Sequence, residues 1–186
     1  MKKPVKYALF LGTLGLIVGL LLALVNMVTK PYIKANEDNK VKDALNSYIQ
    51  SDNWQEVKSD EAIIYKLNQD NKTIYAIKTS GKGYNSGEIV IMTFISDNKI
   101  DKINLVSMNG QTSGIGTQIS KEEYLDSFIG KSIDVYANDN ALDHKKGDVD
   151  VISGATYSSR GLLDALIKAC NSYKKVLGEW YGKAIS

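Results

Sequence analysis

Twenty-three consecutive residues, Tyr7–Thr29, carry no charged side chain. No feature of the chain constrains its folding more. A soluble core rarely accepts so long an apolar segment, whereas a helix of this length reaches about 35 Å and crosses a hydrocarbon layer of about 30 Å. A secretory signal is the rival reading. Its apolar region runs to about 7–15 residues and ends at a small-residue cleavage site. Here the run is longer and leads into Asn26-Met27-Val28-Thr29-Lys30-Pro31 without an A-x-A pattern. The expectation is a retained transmembrane helix over 7–29, in contact with membrane lipid, with Pro31 ending or bending it.

The flanking charges give a direction. Lys2, Lys3 and Lys6 precede the span, whereas Lys30 and Lys34 follow it and are soon diluted by Glu37 and Asp38. The positive-inside rule then puts residues 1–6 in the cytoplasm and the rest of the chain on the extracytoplasmic side. Gly15, Gly19 and Ala23 fall four apart and would give one flat helix face for a neighbouring helix. The plainer reading is that glycine is common in membrane helices.

Without Lys2, Lys3 and Lys6 the chain holds 20 basic and 21 acidic residues, a net of −1. No basic field is left to hold a nucleic acid. The single cysteine, Cys170, excludes a disulfide within the chain and a cysteine-ligated iron–sulfur cluster. It lies on an apolar helical stripe and is expected to be a buried, inert thiol. The single histidine, His144, sits in a polar loop and argues against a His-rich metal site.

Beyond the anchor the pattern changes period. Val41, Ala44, Leu45, Tyr48 and Ile49 recur at helical spacing and predict an amphipathic helix over about 36–50, within a connecting region of 30–60. Segments 62–67 and 73–78 read as strands around a polar turn, 68–71. Ile89–Ile95 and Ile100–Met108 read as a hairpin turning at Ser96-Asp97-Asn98-Lys99. Lys121–Ile129 predicts a short helix, Val149–Ile152 a short strand, and Leu163, Leu166, Cys170, Tyr173 and Leu177 a long final helix to about residue 177. Strands cluster in the middle and helices at the ends, so the class is α+β, with a mainly antiparallel sheet.

The most informative chemistry lies in Ser153-Gly154-Ala155-Thr156-Tyr157-Ser158-Ser159, between a predicted strand and a helix start. Helix amino-termini present backbone N–H groups without intrahelical partners and a partial positive charge, which suits a phosphate. Small residues let a phosphate approach the backbone, and Arg160 adds a cation. A serine-capped helix start is equally compatible with these residues.

Asp150-Val151-Ile152-Ser153-Gly154-Ala155-Thr156 resembles the flavinylation motif of the FMN-binding domain family. That family includes the G subunit of the Rnf complex and the C subunit of the sodium-pumping NADH:quinone reductase. The resemblance covers about residues 73–177. It extends to Gly81-x-Gly83-Tyr84-x-x-Gly87, similar to a family glycine–tyrosine segment. It also extends to Gln111-Thr112-Ser113-Gly114-Ile115-Gly116, similar to a family E-T-P-G-L-G loop. Gln111 stands where glutamate is usual, and Ser113 where proline is.

The resemblance implies an FMN-binding domain over 61–186, with FMN held covalently as a phosphoester of Thr156. Ser153, Gly154, Ala155, Tyr157, Ser158, Ser159, Gly83, Tyr84, Thr112 and Gly114 are the implied cofactor-binding residues. Asp150 is the implied recognition residue for a flavin transferase. Tyr84 and Tyr157 are candidates to lie near the flavin ring, although each read alone is equally a half-buried packing residue. The resemblance further implies an electron-transfer subunit of an Rnf-type ferredoxin:NAD oxidoreductase coupled to ion translocation, partnered by the complex's other membrane subunits. The alternative is a stand-alone extracytoplasmic flavoprotein for external electron transfer or redox sensing. No acid–base pair or nucleophile motif is evident, so the isolated chain is expected to be an electron carrier rather than an enzyme, with no metal.

Overall fold

The computed structural model describes residues 3–59, 62–69, 71–137 and 151–184. They divide into two compact units, up to Lys42 and from Asp43 onward.

The first unit is a helix, part of α1 (Lys3–Asn46). Every side chain from 4 to 33 is exposed, including Phe10, Leu14, Ile17, Leu21 and Val25. Its best 18-residue window has a mean hydropathy of 2.7, and by length and composition it can cross a membrane. The polar groups in the run are internalised: Thr13 donates to the carbonyl of Leu9 at 3.0 Å, and Thr29 to that of Val25 at 2.9 Å. Pro31 does not end the helix, which runs through it to Asn46. The missing Pro31 N–H removes one backbone bond, and the turns on either side carry the helix across the gap. The helix predicted over 36–50 is therefore the last part of α1, but it stops at Asn46 and 47–50 lie outside it.

The second unit is built on five antiparallel strands in sequence order, β1 (Gln55–Lys58), β2 (Ile63–Gln69), β3 (Lys72–Lys82), β4 (Glu88–Ser96) and β5 (Lys99–Met108). Each strand pairs with the next, so every connection is local. Asp97 and Asn98 both adopt positive φ, 49° and 60°, which suits the twist of a two-residue hairpin. β1 lies outside the predicted strands, because Gln-Glu-Val-Lys offers one apolar residue and no alternation.

Both faces of the central strands are covered. On one, Tyr75, Ile77, Ile91 and Ile95 pack under α3 (Thr156–Ala184), whose Leu162, Leu166, Cys170 and Tyr173 are buried. On the other, the Tyr48 ring stacks on Phe94 at 4.5 Å and Trp54 meets Phe94 edge-on at 6.3 Å. Asn104 donates to the carbonyl of Ala44 at 3.1 Å and also bonds the Ser47 hydroxyl, while the Lys102 ammonium donates to the carbonyl of Ser47 at 3.0 Å. These contacts occupy carbonyls that a helix end leaves without intrahelical donors. Two-sided cover explains why Ile89–Ile95 is nearly continuous in apolar residues rather than alternating.

α3 approaches the sheet closely where two glycines meet. A Cβ on Gly81 would lie 1.9 Å from the Gly161 carbonyl oxygen, so neither position has room for a side chain. The Thr79 hydroxyl donates to the carbonyl of Ala165 at 2.7 Å, one turn further along. Three sequence expectations are corrected. Val151 and Ile152 are not in a strand, while Val149 and Asp150 lie outside the described residues. The short helix is only Glu122–Asp126 (α2), and α3 continues to Ala184 rather than 177.

Candidate functional site

The amino-terminus of α3 is set by a tight turn. The Ala155 N–H donates to the carbonyl of Ile152 at 3.0 Å, and Gly154 has φ +83°. A positive φ at the third turn position is the geometry that glycine accepts without strain. The Ala155 carbonyl then accepts the first helical bond, from the Ser159 N–H at 2.9 Å. The cap position is thus alanine, which has no side-chain oxygen to offer the first helical N–H groups. The serine-capped start weighed from sequence is not what forms. Ser159 is fully buried, and its hydroxyl accepts from the Ile152 N–H at 3.2 Å, tying the turn back onto the helix.

Two loops face this helix start. The first is the short 3-10 turn Tyr84–Ser86, closed by Gly83 N–H to Gly87 O at 2.8 Å and Gly87 N–H to Tyr84 O at 2.9 Å. The second follows β5. In it the carbonyl of Thr112 accepts from Gly116 N–H at 2.8 Å, and Gly114 N–H donates to the Thr117 hydroxyl at 3.0 Å. Gln111 joins the three segments. Its Oε1 accepts from the Ser158 hydroxyl at 2.7 Å and the Tyr84 N–H at 3.1 Å, while its Nε2 donates to the Asn109 carbonyl at 3.1 Å.

Between them lies an open cleft of about 290 Å³, lined by Tyr84, Thr112, Ile115, Gly116, Gly154, Ala155, Tyr157 and Ser158. The rings of Tyr84 and Tyr157 meet edge-on with centroids 6.2 Å apart. Tyr84, Ile115 and Tyr157 are respectively 50%, 49% and 63% exposed, so the rim is apolar and open to solvent. Such a cleft can take a flat aromatic group against its rim and an anionic group at the helix start.

The structure brings together six of the residues expected from sequence, namely Tyr84, Thr112, Gly154, Ala155, Tyr157 and Ser158. Thr156 is the half-buried first residue of α3; it lies between two cleft residues but does not itself line the cleft. Ser153 is exposed on the turn and Ser159 buried behind it. Gly83 and Gly114 do not line the cleft. Asp150 and His144 lie outside the described residues. Ile115 and Gly116 were not singled out from sequence as site residues, although their loop was; their place beside Thr112 in that loop was the available signal. Among the described residues no group of three or more His, Cys, Asp or Glu could hold a metal ion. Cys170 is fully buried, and desolvation pushes its thiol up to about 12.

Residues 83–171 match the sequence model of the FMN-binding domain family. The G subunit of an ion-translocating oxidoreductase complex from Methanosarcina acetivorans is 39% identical over 64 residues, 34% of this chain. The match spans about a third of that relative's own length, 32%. The crystal structure of the C subunit of the Na(+)-translocating NADH-quinone reductase from Parabacteroides distasonis superposes with a TM-score of 0.50 at 25% identity, covering 61% of each chain. The family segment contains Gln111, the cleft and Thr156.

Proposed function

We propose, starting from an FMN-binding domain over residues 83–171, that this chain is a membrane-anchored electron-transfer flavoprotein with FMN esterified to Thr156. The observation that carries the reading is the position of Thr156. It opens α3 beside an uncapped helix start and an aromatic-rimmed cleft, inside the matched segment. The cleft residues fit the group: first-turn N–H groups suit a phosphate, and the exposed Tyr84 and Tyr157 rings suit a planar heterocycle. When bound, FMN supplies the redox chemistry, and the chain supplies attachment, orientation and exclusion of water from one side.

The ester has a physical rationale. Even a nanomolar noncovalent ligand is held by only about 12 kcal/mol and can dissociate. A carrier outside the cytoplasm has no ready supply to reload from. Attachment is proposed to come from a flavin transferase: the Thr156 oxygen forms a bond to the flavin-side phosphorus of FAD, the pyrophosphate P–O bond breaks, and AMP leaves with the threonine proton passing to solvent.

The remaining proposals follow the same line. Residues 7–29 span the membrane, 1–6 are cytoplasmic, 30–60 connect, and 61–186 form the flavin domain on the extracytoplasmic side. The partners are the other membrane subunits of an Rnf-type complex that passes electrons between ferredoxin and NAD and couples them to ion transport. The similarity to subunits of two ion-translocating complexes supports this reading.

The test is intact mass and in-gel flavin fluorescence after denaturation, for the full chain made with a flavin transferase. The native chain is expected to gain one esterified FMN and Thr156→Val none. A Thr156→Val band as bright as the native one refutes the attachment residue.

A further inference from the structure

We infer that Gln111 is the positioning residue of this cleft: one amide fixes the Tyr84 and Ser158 walls together and keeps the wall behind the cleft electrically neutral. The inference rests on the flavin reading for its redox consequence and on geometry alone for the rest. The orientation of the amide is chemically determined. A backbone N–H can only donate and a backbone carbonyl can only accept. Oε1 must therefore face the Tyr84 N–H, and Nε2 the Asn109 carbonyl. The Ser158 hydroxyl donates to the same Oε1. Both ends of the amide are engaged, across the three segments that wall the cleft.

The surrounding glycines are cut to this side chain. A Cβ on Gly83 would lie 2.6 Å from Oε1 and 2.7 Å from Nε2, and one on Gly87 would lie 2.8 Å from Nε2 and 2.2 Å from the Asn109 oxygen. Gly83 leaves room for the Gln111 amide beside Ile89, and Gly87 leaves room for the Asn109–Gly110 backbone as well as for Nε2. A carboxylate in its place keeps the acceptor toward Tyr84 and Ser158. Its second oxygen then faces the Asn109 carbonyl, lone pair to lone pair, and a negative charge enters the cleft wall. Negative charge near a flavin disfavours added electrons, so glutamine at 111 holds the potential higher than glutamate would.

Two variants of the full chain in detergent test this, Gln111→Ala and Gln111→Glu. In the flavin-free chain, the Tyr84 amide is expected to exchange with solvent about fivefold faster in Gln111→Ala, as one hydrogen bond is lost. In Gln111→Glu it is expected to stay protected. Equal rates in native and Gln111→Ala, or Gln111→Glu exchanging as fast as Gln111→Ala, overturn the positioning role. In the flavin-loaded chain, Gln111→Glu is expected to lower the midpoint potential at pH 8, with the gap closing as falling pH protonates the carboxyl. A loaded Gln111→Glu protein with an unmoved potential overturns the charge role. A native chain that takes no flavin at all refutes the parent reading instead, and the exchange measurement still decides the positioning role.

Discussion

Replacing Gly161 with alanine isolates how tightly α3 is seated on the sheet. A Cβ there would lie 2.8 Å from Ile89 Cδ1, 2.9 Å from Gly83 N and 2.9 Å from Lys82 C. Two of those three atoms are backbone and cannot rotate away. Over-packing of this kind costs about 1–3 kcal/mol, and backbone contacts belong at the upper end. Against it stands the helix preference of alanine over glycine, a gain of about 1 kcal/mol. The net expectation is a loss of about 1–2 kcal/mol, or about 2–8 °C in Tm for a unit near 150 residues. The same helix provides the control, since nothing lies within 4 Å of a Cβ on Gly178. There propensity acts alone, and Gly178→Ala is expected to gain about 0.5–1 kcal/mol. Thermal and urea unfolding of the full chain in detergent, followed by far-UV circular dichroism, measure both. Gly161→Ala melting at or above the native temperature, or the two variants shifting in the same direction, refutes the close-packing argument.

Other outcomes follow from the second unit. The Tyr48 phenol donates to Asp101 at 3.0 Å; burial, then the Asp101 charge and this bond, push it up to about 12. A phenol raised above its unfolded value of about 10 contributes stability that is complete below pH 10 and lost as pH rises toward 12. Tyr48→Phe should therefore cost about 1–2 kcal/mol at pH 8, with the difference from the native chain shrinking between pH 10 and 12 in pH-dependent urea titrations. A difference that holds constant across that range counts against the Tyr48–Asp101 pair. Cys170, buried with its thiol near 12, should react with a thiol reagent at pH 8 only at the rate of unfolding, and at once in denaturant. Rapid labelling of the folded chain would contradict its burial.

Strands β2 to β5 were legible in the sequence because their apolar runs are bounded by polar turn residues that accept positive φ, Asn71 and Asp97-Asn98. The last helix was legible from the stripe through Leu163, Leu166, Cys170 and Tyr173. β1 was not, since its four residues owe their pairing to β2 rather than to any pattern of their own. Continuation through Pro31 was hidden as well: proline reports the local loss of one hydrogen bond, not whether neighbouring turns continue the helix. At the site, the Gly154–Tyr157 stretch and the two loops were readable as segments. Which member of each loop faces the cleft was not, because that depends on the closeness of α3 to β3. Gln111 shows the limit most clearly. It was noticed as a departure from a pattern, yet its role depends on three partners, Tyr84, Asn109 and Ser158, the farthest 47 positions away.

The glycines of this domain divide by what they accommodate. Gly81 and Gly161 admit backbone to backbone, Gly83 admits the Gln111 amide, and Gly87 admits both that amide and the Asn109–Gly110 backbone. These four are filled by the protein itself. Gly154 has nothing within 4 Å of its Cβ position and lines the cleft, with φ +83°. It is glycine for backbone conformation, and it leaves open space one residue before the cap. A bulky anion approaching the start of α3 meets that space rather than a side chain. Filled glycines such as Gly81 and Gly161 hold the walls still; Gly114, Gly130 and Gly178 are as open as Gly154, and of these four only Gly154 lines the cleft. Substituting a filled glycine should therefore move the fold and the cleft together. Gly154→Ala, which meets no atom, should strain the turn that presents Thr156 while leaving the packing of α3 on the sheet intact.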